Sequence, residues 1–104
     1  MTAAHTLTDD PGARRYELRA GADLLGWTEY LPAGDSVILA HTEVLEGHEG
    51  EGLGGELVRG TFAQIAALGK TVIPLCPFAA AYVRRHPELL AQVAPSMRAQ
   101  LSSG

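Results

Sequence analysis

The chain has 104 residues, enough for one small domain. Its net charge is −4 and no cluster of Lys or Arg forms a stripe, which argues against nucleic acid as the main partner, and no long apolar run offers a membrane span. The one cysteine, Cys76, rules out an internal disulfide. The N-terminus has no charged-then-apolar segment of the secretory kind, so a cytoplasmic protein is expected.

Residues 1–13 are small and polar and carry the turn signal Asp9-Asp10-Pro11-Gly12, which predicts a mobile leader. Residues 15–19 alternate polar and apolar, as a half-buried strand does. Residues 24–30 are rich in strand formers, and the short turn before them predicts an antiparallel hairpin. Pro32 and Gly34 predict a turn over 31–36. Val37-Ile38-Leu39-Ala40 is continuously apolar and runs on through His41, Thr42, Glu43 and Val44, the pattern of a central strand buried on both faces.

Next comes Glu49-Gly50-Glu51-Gly52-Leu53-Gly54-Gly55, and directly behind it the hydrophobic period switches to 3.6. Leu57, Val58, Thr61, Phe62, Ile65 and Leu68 fall on one side of the predicted helix, and Gly69 stops it. Residues 71–75 form a short apolar strand, so strand, helix and strand make a parallel crossover unit. Pro74 cannot donate to a sheet ladder and marks an edge or a place where strands part. Pro77 suits the first position of a helix running to Arg85, and His86-Pro87 interrupts it. One or two further helical turns are predicted through Val93, and residues 96–104 are expected to fray.

A glycine-rich turn that opens a helix points unpaired N–H groups and a partial positive charge at its contents, which is the chemistry of a phosphate cradle. Gly50, Gly52 and Gly55 spell G-x-G-x-x-G, but the dinucleotide fold needs an acid about 20 residues on, and residues 71–76 hold none. A P-loop needs Gly-Lys-Ser/Thr, and Glu56 follows Gly55. No C-x-x-C or H-E-x-x-H spacing supports a metal, and no G-x-S-x-G elbow supports a serine hydrolase.

What remains is Gly50-Glu51-Gly52-Leu53-Gly54 between a central strand and a helix. It resembles the pyrophosphate loop of the GNAT family of acetyl-CoA-dependent N-acetyltransferases. Together with His41-Thr42-Glu43-Val44, Leu57-Val58, Pro74-Leu75-Cys76-Pro77-Phe78, Tyr82 and His86-Pro87-Glu88, it is similar to the minimal, single-domain GNAT-like subfamily, from about Arg15 to Leu90. The resemblance implies an α/β (α+β) fold, with N-terminal antiparallel strands, then a β-α-β unit and C-terminal helices. It also implies one domain over residues 14–95, between the leader and a flexible tail at 96–104. Glu49 stands where the wider family usually has Arg or Gln. A carboxylate turned to solvent there leaves the backbone N–H groups free to bind.

The implied activity is transfer of an acetyl group from acetyl-CoA to an amine: a protein lysine, a polyamine or a small metabolite. The alternatives are a non-catalytic acyl-CoA-binding module and a small protein-interaction domain of the same fold. Acetyl-CoA binding is assigned by resemblance to Thr42, Glu43 and Val44 on the strand and to Glu49, Gly50, Glu51, Gly52, Leu53, Gly54 and Gly55 in the loop. The catalytic candidates are Cys76, His41 and Tyr82. Cys76 is either a nucleophile or a lining of the acetyl pocket. His41 is either a proton acceptor or a histidine packed beside Val37 and Leu39. Tyr82 either protonates the departing thiolate or is a core aromatic, while Glu43 is expected on the sheet surface. Monomer and homodimer are both compatible with exposed sheet edges.

Overall fold

A computed structural model describes residues 4–45 and 52–102. Five strands form one sheet in sequence order: β1 (His5–Asp10), β2 (Arg15–Ala20), β3 (Asp23–Ala33), β4 (Ser36–Val44) and β5 (Thr71–Pro74). Neighbours are antiparallel except β4 and β5, which are parallel. That pair is joined through helix α1 (Leu53–Ala67), as the period switch predicted. Helix α2 (Pro77–Arg85), a 3-10 helix (Pro87–Gln92) and helix α3 (Pro95–Ser102) complete the chain.

The hairpin of β2 and β3 and the crossover stand where the sequence put them. The chain's first residues do not: expected within a mobile leader, His5–Asp10 forms β1 and pairs along all of β2. Its alternation is faint because β1 is an edge strand that turns only Leu7 toward the core. Leu7 rests on α1 opposite Gly60, and Gln64 donates a 2.7 Å hydrogen bond to the Leu7 carbonyl. The tail differs in the same way. Residues expected to fray form α3, and its Leu101 is 4% exposed in the main core.

β3 runs through Pro32 rather than turning before it. β2 ends at Arg15 opposite Glu29, so at Pro32 β3 has a neighbour on the β4 side alone, and the missing N–H costs no ladder bond on the other. Nor is β4 buried on both faces. Val37 and Leu39 are buried, but Ala40, His41 and Glu43 are exposed. The reason is that Tyr16, Val37, Leu39 and Val72 of the sheet join Phe62, Ala79 and Val83 of α1 and α2 in one cluster, so the helices pack on one face. A second cluster of Leu18, Leu25, Leu53 and Leu57 continues it under the start of α1. Fully burying one such side chain stabilises by about 1.5–3 kcal/mol. Leu68, expected on the buried side of α1, is exposed because it lies past the last helical turn, where Gly69 and Lys70 N–H groups bond back to Ala66 and Ile65.

The open face of the sheet carries charge. Glu17 is only 6% exposed, gripped by Arg15 at 2.7 Å and Arg19 at 2.8 Å. Arg15 also stacks over Trp27 at 4.7 Å. The hydrogen bonds from Arg19 and Arg15 hold the Glu17 carboxyl below the usual glutamate range. A depressed carboxyl adds stability that is complete above the unfolded-state value and is lost as pH falls through the folded-state value. Water reaches this face, so each pair contributes about 0.2–1 kcal/mol. Melting temperatures of the native protein and Glu17→Gln should therefore differ most near pH 7 and converge below the glutamate range. Curves that stay parallel down to acid pH would contradict this.

On the core face, burial and the nearby Asp9 carboxylate raise the ionisation of Tyr16 above an ordinary phenol. Tyr30 is pushed well above the phenol range by burial and by its 2.6 Å hydrogen bond to Asp9.

One close approach fixes how β3 lies on β4. A Cβ on Gly26 would stand 2.5 Å from the Glu43 carbonyl oxygen and 3.2 Å from the Val44 Cα. Both are backbone atoms and cannot swing aside. Gly26→Ala should destabilise by about 1–3 kcal/mol. For a domain of this size that lowers the melting temperature by at least about 4 °C. An unchanged melt would refute the contact.

Candidate functional site

The site begins at a fork. β4 and β5 pair from Ser36 with Thr71 to Leu39 with Pro74 and then separate. Pro74 has no N–H to give, Leu75 turns back to bond the Ile73 carbonyl, and Cys76 N–H donates to the Leu39 carbonyl at 2.8 Å. Beyond that bond the stretch of β4 from Ala40 to Val44 has β3 on one side and no strand on the other, among the described residues. Its free edge offers backbone donors and acceptors to an extended ligand.

A bulge at the fork decides which side chains serve it. Thr42 pairs with Thr28 and His41 with Glu29, but Tyr30 pairs with Leu39, so Ala40 is the extra residue. Strict alternation would put His41 on the same face as Val37 and Leu39. The bulge shifts the phase by one, and Thr42 and Val44 take that face instead. Thr42 meets Cys76 there: the Cys76 thiol donates to Thr42 Oγ1 at 3.4 Å, and Thr42 Oγ1 lies 3.2 Å from Thr28 Oγ1. Cys76 is 3% exposed and Thr28 is fully buried. Val44 packs half-buried against the Leu53 cluster.

His41 stands on the open face, with its side chain 52% exposed and Nε2 at 2.9 Å from Glu43 Oε1. The structure thus brings Cys76 and Thr42 together and sets His41 and Glu43 side by side on the opposite face. His41 does not pack beside Val37 and Leu39.

The third component is the start of α1. Gly52 precedes it, and the first bond of the helix runs from Glu56 N–H to the Gly52 carbonyl. The N–H groups of Leu53, Gly54 and Gly55 therefore have no carbonyl within the helix. Leu53 is buried in the second core cluster. Glu56, an anion in this same turn, is held by His5 of β1 at 2.8 Å. Glu49, Gly50 and Glu51 lie outside the described residues.

α2 closes over this turn through its own i, i+4 pair. A Cβ on Gly54 would be 2.3 Å from the Phe78 ring, and one on Gly55 would be 2.9 Å from the Tyr82 ring. These two glycines let aromatic side chains lie on the α1 backbone. Tyr82 is then fixed from three sides. Its ring stacks on His86 at 4.2 Å between centroids, and its oxygen accepts a 3.2 Å hydrogen bond from Arg59 Nε. Arg59 also bonds Glu88 at 2.7 Å. The Arg59 hydrogen bond holds the Glu88 carboxyl below its usual range, and Glu88 in turn raises the Arg59 guanidinium.

Thr28, Arg59, Phe78 and Glu88 were not among the candidate site residues read from the sequence. The spacing of Phe78 and Tyr82 on one helix face, opposite paired glycines, was the readable sign for Phe78. Thr28 and Arg59 had none, since each meets the site across a long sequence separation. Among the described residues no group of three or more His, Cys, Asp or Glu is arranged to hold a metal, and no helix is long and apolar enough to cross a membrane.

A comparison with curated proteins finds no match. A sequence profile described as GCN5-related N-acetyl-transferase matches residues 15–93, which takes in β2 to the end of the 3-10 helix and so contains the fork, the thiol and the start of α1. The chain belongs to the GCN5-related N-acetyltransferase family.

Proposed function

We propose that the protein transfers an acetyl group from acetyl-CoA to an amine. The observation that carries the reading is the fork at Pro74, which leaves the edge of β4 without a strand partner among the described residues while seating a buried thiol beside it. The residues present fit acetyl-CoA. The N–H groups at the start of α1, which have no carbonyl within the helix, suit a pyrophosphate, and the edge from Ala40 to Val44 suits an amide-bearing arm. When bound, acetyl-CoA supplies an activated thioester.

The transfer then has three tasks: to take the acetyl group, to supply a proton to the departing thiolate, and to accept one from the amine. Cys76 takes the first. After its proton has left to solvent, its Sγ bonds the acetyl carbon as the carbon–sulfur bond of the donor breaks, and the amine nitrogen later replaces Sγ, which regains a proton from solvent. Tyr82 takes the second. Arg59 donates to its oxygen, which leaves the phenol hydrogen free to give. The third falls to solvent at the open edge of β4, since His41 stands with Glu43 on the opposite face of the sheet from Cys76. The acceptor is a protein lysine, a polyamine or a small metabolite in a cytoplasmic setting.

Calorimetric titration with CoA and acetyl-CoA tests the reading. Saturable heat and a raised melting temperature are expected. No heat and no thermal shift would sink it and leave an interaction domain. Binding without release of CoA in the presence of a panel of amines would leave a binding module.

A further inference from the structure

We propose that Thr42 and Thr28 are positioning residues for Cys76: their two hydroxyls form a chain that reverses its donor direction when the sulfur loses its proton, so that the bare sulfur is met by a hydrogen-bond donor. The idea rests on the acetyl-transfer reading for the sulfur's task, but the chain of contacts stands on geometry alone. Cys76 Sγ, Thr42 Oγ1 and Thr28 Oγ1 lie in sequence at 3.4 and 3.2 Å, linking the start of α2 to β4 and β3 across the fork. Thr28 is fully buried and Cys76 nearly so. A buried hydroxyl left without a partner is costly, which holds the two threonines to each other.

Each hydroxyl has one hydrogen and two lone pairs. With a thiol present, S–H donates to Thr42 and Thr42 donates to Thr28. Once the thiol proton has left to solvent, Thr28 donates to Thr42 and Thr42 donates to the sulfur. The same holds while the sulfur carries an acyl group, since it then has no hydrogen of its own. Only the hydroxyl hydrogens rotate, and both heavy-atom distances are kept. A donor already in place costs no reorganisation when charge develops on the sulfur.

The bulge at Ala40 makes this chain possible. With strict alternation through Ala40 the β4 side chain on the core face would be His41, and Thr42 would point to the open face, away from Cys76.

The test reads the sulfur directly and needs no CoA, so a failure of acetyl transfer leaves it intact. Cys76 is the chain's single cysteine, and the rate at which iodoacetamide alkylates the folded protein at fixed pH, followed by mass spectrometry, reports on it alone. Thr42→Val keeps the shape and removes the hydroxyl; it should slow alkylation about tenfold, the equivalent of about 1.4 kcal/mol. Thr42→Ser keeps the hydroxyl and should react near the native rate. Thr28→Val, which does not touch the sulfur, should slow the reaction by about threefold, because Thr42 then has lost the donor behind it. Thr42→Val reacting at the native rate, or Thr42→Ser slowed as much as Thr42→Val, overturns the proposal. Should Thr42→Val fail to fold, Thr28→Val decides: a native rate there overturns it equally.

Discussion

Cys76→Ala is expected to lower kcat for amine acetylation by at least about 10²-fold while CoA affinity stays close to native. The thiol sits where β4 and β5 part, at the one place where Pro74 interrupts the ladder between them. Its removal takes away the first acceptor of the acetyl group and leaves the start of α1 and the open β4 edge as they were. The side chain is small and buried, so the stability loss should stay near about 1 kcal/mol. Mass spectrometry after incubation with acetyl-CoA supplies the second readout. The native chain should gain one acetyl group, and Cys76→Ala should gain none at that position. Full turnover by Cys76→Ala would refute any essential role for the thiol, whatever adduct the native chain shows.

Tyr82→Phe should reduce kcat by about 10²-fold and leave KM for acetyl-CoA unchanged. The ring would keep its seat on Gly55 and its stack on His86, so the packing of α2 on α1 survives. What disappears is the phenol hydrogen, together with the oxygen that accepts from Arg59. A steady-state comparison separates the roles. A fall in kcat alone marks a proton donor, whereas a native kcat with a lowered melting temperature marks Tyr82 as an aromatic that merely locks two helices. Tyr82→Ala would not discriminate, because it would also open a void above Gly55.

Reading the site from sequence succeeded where a local rule had a local cause. Pro74 lacks an N–H wherever it sits, so it marked the place where the strands part. The period switch behind Gly55 announced α1, and Gly69 closed it. The reading failed where the outcome depended on a partner distant in sequence. β1 has few apolar residues, and its order comes from pairing with β2 and from Gln64 and Gly60 of α1. α3 reads as a polar tail until Leu101 reaches the core. Arg59 reads as a solvent-facing helix residue until Tyr82 and Glu88 are folded against it.

By itself the sequence determined the types of the elements from β2 to α2, the parallel crossover between β4 and β5, and the glycine-led start of α1. These follow from backbone chemistry and hydrophobic period, which act over a few residues. Tertiary structure alone decided which side chains face the fork. One extra residue at Ala40 reverses the alternation of β4, sending His41 to the open face and bringing Thr42 to Cys76. A bulge arises from the match between two strands, and no single strand's sequence records it.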